Sequence, residues 1–183
     1  MKSLFLLTAA SILLLLTACG DGITRGGRPI SDNEQIKLEI PENSLEGPPY
    51  SFGGKRTGSC TVMSIDGPVI SNGFFRAEIS QTEKSINIQL FCAPDKNSTS
   101  GYKLYTTGNL EIEENLVKGP TIQSGRIGRK GLKLVFLPIN GIQYTIAALV
   151  DSQIKVEVTG LYEGQEVERM TGALSPSRVT TDR

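Results

Sequence analysis

The run Ser85-Ile86-Asn87-Ile88-Gln89-Leu90-Phe91-Cys92 places Ile86, Ile88, Leu90 and Cys92 at every second position, separated by Asn87, Gln89 and Phe91. A repeat of two puts one residue set on each face of an extended chain, whereas a helix would space its apolar stripe by three and four. The same period recurs on both sides. Ile36, Leu38 and Ile40 alternate with Lys37 and Glu39 up to Pro41, and Ser59 to Ile65 and Phe74 to Ile79 read as strands. Further on come Tyr102 to Thr106, Leu110 to Ile112, Leu132 to Phe136, Ile142 to Val150, Ile154 to Val158, and a last strand through Val167 and Met170. Asn72-Gly73, Gly108-Asn109, Asn140-Gly141 and Glu163-Gly164 carry the residue types of tight hairpin turns. No segment sustains a helical stripe. The pattern predicts an all-β fold, an antiparallel sandwich or barrel of about nine to eleven short strands.

Composition narrows the function classes. The 183 residues carry 19 Lys+Arg against 19 Asp+Glu, so no net basic field draws nucleic acid to the chain. There is no His, which removes Ser-His-Asp and Cys-His nucleophiles and any His-ligated zinc. No cofactor, metal or catalytic residue is expected.

The N-terminus reads as a processing signal. Lys2 opens a short basic region, Leu4 to Leu16 is almost wholly apolar, and Leu16-Thr17-Ala18-Cys19 closes the run before Gly20. The apolar run is short of the ~20 residues of a spanning helix and matches a signal-peptide core. Leu16-Thr17-Ala18-Cys19 resembles the lipobox of bacterial lipoproteins. That resemblance implies a diacylglyceryl group on Cys19, cleavage before it, and attachment to the membrane through the lipid. It also implies a cell-envelope location, the outer membrane where the cell has one, because Gly20 rather than Asp follows the Cys.

The predicted organisation is a signal at residues 1–18, a lipidated Cys and flexible tether at 19–34, a single β-domain at 35–176 and a polar tail at 177–183. Residues 20–34 hold four Gly, one Pro and five charges with no apolar period; such a coil spans roughly 20 Å and at most about 50 Å. Two cysteines remain beyond Cys19. Cys60 shares a face with Val62, and Cys92 with Ile86, Ile88 and Leu90, so both point into one core. In an exported chain an even pair reads as a disulfide, the alternative being two buried thiols.

Several motifs dissolve on inspection. Ser152-Gln153-Ile154-Lys155 spells a serine-hydrolase motif, but it lies in a strand pattern, where its Ser and Lys face opposite ways. Ser31-Asp32-Asn33 precedes it in the wrong order. Asp95, Asn97 and Thr99 start like a calcium loop whose glycine and closing acid are replaced by Ser100 and Thr106. Glu111, Glu113 and Glu114 read as a solvated face. The most unusual local feature is Gly125-Arg126-Ile127-Gly128-Arg129-Lys130-Gly131, where Arg126, Arg129 and Lys130 among glycines suit an anionic partner. A solvated loop that protects a sheet edge is the alternative.

The expected function is that of a membrane-anchored envelope lipoprotein with a non-catalytic binding, assembly or structural role, contacting an envelope protein or anionic polymer. A surface hydrolase using carboxylates alone is the second reading, since it needs no His.

Overall fold

A computed structural model describes residues 37–175. The expected signal peptide, Cys19, the expected tether and the C-terminal tail lie outside the described residues. These residues form ten strands: β1 (Gly54–Ser64), β2 (Ile70–Gln81), β3 (Ser85–Ala93), β4 (Lys103–Glu113), β5 (Leu116–Lys118), β6 (Ile122–Ile127), β7 (Gly131–Phe136), β8 (Ile142–Val150), β9 (Ile154–Tyr162) and β10 (Gln165–Leu174). Each pairs antiparallel with its neighbours in sequence. The ring closes where β1 meets β10, from Gly58↔Leu174 to Ser64↔Glu168. The fold is therefore all-β and antiparallel as expected, and closure resolves sandwich or barrel in favour of a barrel. Closing the ring leaves no free first or last strand to recruit another chain.

The period of two fills the interior. Ile86, Ile88, Leu90 and Cys92 are all buried, as are Leu132, Leu134 and Phe136, and Ile154, Val156 and Val158. Phe75 of β2 reaches over β1 onto Gly172 of β10, where any side chain would fall 2.4 Å from its ring. Cys60 and Cys92 are joined by a disulfide that ties β1 to β3 across β2.

Three sequence expectations change. Lys37–Ile40 is not a strand but a strap over the outer wall, where the Leu38 N–H donates to Glu157 Oε2 at 3.1 Å. Asn72-Gly73 is not a hairpin: β2 runs through it with Asn72 at φ 55°, and the register with β1 jumps between Cys60 and Val62. Gly108-Asn109 likewise lies inside β4, opposite a register shift between Asn87 and Gln89. Both sites use positive-φ turn chemistry to make bulges, which bend a strand without ending it. Asn140-Gly141 and Glu163-Gly164 do turn, with positive φ at all four residues as a type I′ turn needs.

The two ends differ. At one, residues Glu42–Phe52 fold over the lumen as a plug, beginning with a single 3-10 turn, Glu42–Ser44. Leu45 and Phe52 are buried there. Gln81 clamps the segment from both sides, accepting from the Phe52 N–H at 2.7 Å and donating to the Tyr50 carbonyl at 3.0 Å. The other end receives the β1–β2, β3–β4, β5–β6, β7–β8 and β9–β10 connections and has no such plug among the described residues.

Candidate functional site

The open end holds a buried charge. In β10 the register passes from Glu166↔Leu161 to Glu168↔Gly160, so Val167 is an extra, bulged residue. Below it Met170 and Leu174 face the core. Glu168 shares that inner face by alternation, and the bulge breaks the alternation just before it, so that Glu166 instead pairs with Arg169 at 2.5 Å. A carboxylate inside an apolar barrel must be paired and hydrogen-bonded to be tolerated. Glu168 Oε1 accepts from the Tyr105 hydroxyl, and Oε2 accepts from Lys103 Nζ and from Ser64 Oγ at 3.4 Å. Lys103 and Tyr105 alternate inward from β4, and Tyr144 of β8 stands edge-on to Tyr105 at 6.3 Å between ring centroids. Gly160 makes the room: a Cβ there would lie 3.0 Å from the Tyr144 ring and 3.4 Å from Glu168.

Burial raises the Tyr105 phenol far above its ordinary value near 10, and the hydrogen bond and negative charge of Glu168 push the same way. Tyr144 is raised by burial first and by Glu168 second. The neutral phenols therefore favour the folded state. Their contribution is complete below about pH 10 and is lost as alkali ionises the unfolded chain. In ¹³C-tyrosine NMR, Tyr105 and Tyr144 are expected to keep their neutral shifts in the native barrel above pH 10. Glu168→Gln should bring Tyr105 only part of the way down, since burial is the larger cause. A Tyr105 signal that ionises at an ordinary pH would contradict the arrangement.

Beside this cluster lies a cavity of about 300 Å³, walled on its apolar side by Phe136, Ile139, Ile146 and Val158. That is the lower end of the range for small-molecule sites. The wall is thin here. β4 pairs with β5 only over Glu111–Glu113, and β5 meets β6 at Leu116↔Arg126, so the first half of β4 has β3 on one side and no strand on the other. Leu104 and Thr106 border the cavity along that gap. Two further hollows, of about 340 and 620 Å³, lie on the outer wall and are bounded partly by the Lys37–Ile40 strap, so they are seams between strap and barrel.

The basic segment sits at the opposite, plugged end, and it is not all loop: Gly125, Arg126 and Ile127 belong to β6 and Gly131 to β7, leaving Gly128, Arg129 and Lys130 as the turn. Its glycines serve packing: a Cβ on Gly128 would lie 2.2 Å from the Leu45 carbonyl carbon. Its backbone donors are occupied, Arg129 N–H by the Glu46 carbonyl at 3.1 Å and Lys130 N–H by that of Ser44 at 3.1 Å. Arg126 forms an ion pair with Glu42. The side chains of Arg129 and Lys130 remain exposed, but the glycine-rich backbone is committed to the plug.

Of the discarded motifs, Ser152 and Lys155 are exposed while Ile154 between them is buried. Asp95 receives the Asn97 N–H at 2.8 Å and the Ser98 hydroxyl at 2.6 Å, closing its own loop. Glu113 pairs with Lys118 on an exposed strand surface. Ser31-Asp32-Asn33 is outside the described residues. The Glu168 cluster escaped sequence reading. Lys103-Leu104-Tyr105 does alternate, but with its polar residues inward, and the bulge at Val167 has no local marker. The chain matches no protein-family model and no curated protein.

Proposed function

We propose that this chain is a lipid-anchored cell-envelope protein whose barrel binds, without catalysis, a small amphipathic molecule at its open end. The observation that carries the reading is the Glu168–Lys103–Tyr105 network beside an apolar cavity. Glu168 is already satisfied by three donors, so the groups left to a ligand are the Tyr144 and Thr106 hydroxyls and the remaining protons of Lys103. Lys103 only donates, which favours a headgroup that accepts hydrogen bonds, such as a carboxylate or an alcohol. Among the described residues the cavity is lined by one carboxylate, whereas glycoside hydrolysis needs two. That favours binding over a hydrolase. The lipobox supplies the anchor, and Gly20 favours the outer membrane where one exists. The exposed Arg129 and Lys130 leave the plugged end able to face an envelope protein or polymer.

Intact-mass analysis of membrane-extracted protein is expected to show an acylated species beginning at Cys19; an unmodified soluble chain would remove the anchor. For the cavity, decanoate and decanol titrated into the chain begun at Gly20 are expected to shift the Tyr144 and Ile146 NMR signals saturably. Lys103→Met should weaken decanoate more than decanol, because only the carboxylate loses a charge partner. Shifts confined to the outer wall, or equal losses for both ligands, would reject the site.

A further inference from the structure

In this meander every second connection arrives at the same end, and the exposed apolar residues follow that geometry. Of the large hydrophobics left exposed among the described residues, Val69, Tyr102, Leu104, Leu137, Ile139 and Tyr162 all lie at the open end; Leu116 alone lies at the plugged one. Leu104 and Ile139 border the cavity, and the Tyr162 ring packs over Gly141 in the turn just beyond Ile139. Apolar side chains gathered in one patch mark a contact surface, whereas scattered ones need no explanation. Of the charges in these connections, Asp66, Asp95 and Glu163 are acidic and Lys96 basic, so attraction to an anionic surface does not drive the contact and the apolar side chains must. The tyrosines suit a membrane interface, where an apolar ring carries a wet hydroxyl.

We infer that this crown docks on the lipid bilayer, so that the cavity opens toward acyl chains and headgroups. The inference rests on the anchored reading above. Seventeen residues separate Cys19 from Lys37, a reach of at most about 60 Å. The strap crosses the wall at Glu157, midway along β9. A barrel of such strands is about 25–30 Å tall, so the anchor lets the open end meet the surface. A lipid chain alone holds a protein near the bilayer; apolar side chains set its orientation.

The chain has no Trp, so a single introduced one reports its own surroundings. Ile139→Trp at the crown and Leu116→Trp at the plugged end are compared in vesicles of phosphatidylethanolamine and phosphatidylglycerol with brominated acyl chains. The protein is used both lipidated, as extracted, and begun at Gly20, a truncation that leaves every described contact in place. Expected are quenching at position 139 and little at 116 in the lipidated form, and weaker quenching of the same pattern in the truncated form. Leu137→Ser with Ile139→Ser should lower partitioning of the truncated form about tenfold or more, with little dependence on salt. A vesicle-bound lipidated chain unquenched at 139 would overturn the docking while leaving the anchor intact. Should Cys19 prove unacylated, quenching of the truncated form at 139 would still support the crown, and its absence would overturn it. A concentration-dependent blue shift at 139 without vesicles would assign the surface to a second copy instead.

Discussion

Opening the Cys60–Cys92 disulfide is expected to lower the unfolding free energy by about 3–4 kcal/mol, whether by reductant or by Cys60→Ala with Cys92→Ala. The bond closes a loop with a sequence separation of 32 and ties strands that are not neighbours. β1 and β3 lie on either side of β2, so regular spacing would hold them about 10 Å apart. Their cysteine Cα atoms are 6.1 Å apart because the Asn72-Gly73 bulge folds the wall inward. Gly73 is part of that bend: a Cβ there would lie 2.4 Å from the Ala93 carbonyl oxygen. Guanidinium melts with and without reductant measure the effect. The midpoint should fall and the slope rise, because the uncrosslinked chain exposes more surface on unfolding. An unchanged midpoint would mean that the bulge and the apolar packing hold the bend by themselves.

Gly128→Ala is expected to cost on the order of 3 kcal/mol, at the upper end for overpacking, and to lower the melting temperature by about 10 °C. Its added methyl meets Leu45 backbone, with carbonyl carbon, Cα and oxygen at 2.2, 2.5 and 2.6 Å. No rotamer relieves a clash with backbone, so the segment must lift. Lifting it breaks a set of contacts together. The Tyr50 N–H loses the Gly128 carbonyl at 2.8 Å, Arg129 N–H loses Glu46, and Asn115 Nδ2 loses the Gly47 carbonyl at 2.6 Å. Leu45 and Phe52 then leave the lumen. Gly131→Ala is the contrast: its nearest neighbours stand at 3.0–3.2 Å, and the two nearer the ends of flexible side chains, those of Ile40 and Leu45, can rotate away, leaving only Ser44 Cβ in mild contact. Hydrogen exchange and limited proteolysis should speed up over residues 41–53 in the Gly128 variant and much less in the Gly131 variant. Equal behaviour would show that the plug is held by Gln81 and the Phe52 side chain rather than by close approach at Gly128.

Such a loosened plug also separates the two ends experimentally. The Glu168 cluster and its cavity are built from β1, β4, β8 and β10 at the far end, so Gly128→Ala should leave the tyrosine signals of the open end in place. The basic loop would change first, because its backbone is bound to the segment that lifts.

Most strands and the disulfide partners were legible in the sequence because their signals are local; β5 and β6, which lack a clear period of two, were not. Ile86, Ile88, Leu90 and Cys92 need only a period of two to define a buried face, and Cys60 carries the same parity in its own strand. Asn140-Gly141 and Glu163-Gly164 likewise state their turn through backbone preference alone. Other features depend on what lies opposite. Asn72-Gly73 has the chemistry of a hairpin, yet continuous pairing of β2 with both β1 and β3 makes it a bulge. Lys37–Ile40 alternates like a strand, yet it pairs with no strand of the ring and straps the outside, held by the Leu38 N–H on Glu157. Glu168 looks like one of several acids near the last turn until closure of the ring sets it facing Lys103 and Tyr105, more than sixty positions away. Arg126, Arg129 and Lys130 stand out in the sequence for their charge, and the fold uses the backbone of the first in the sheet and of the other two to hold the plug. Side-chain period and turn preference act over a few residues, whereas bulges, plugs and buried ion pairs are settled only when distant strands come into register.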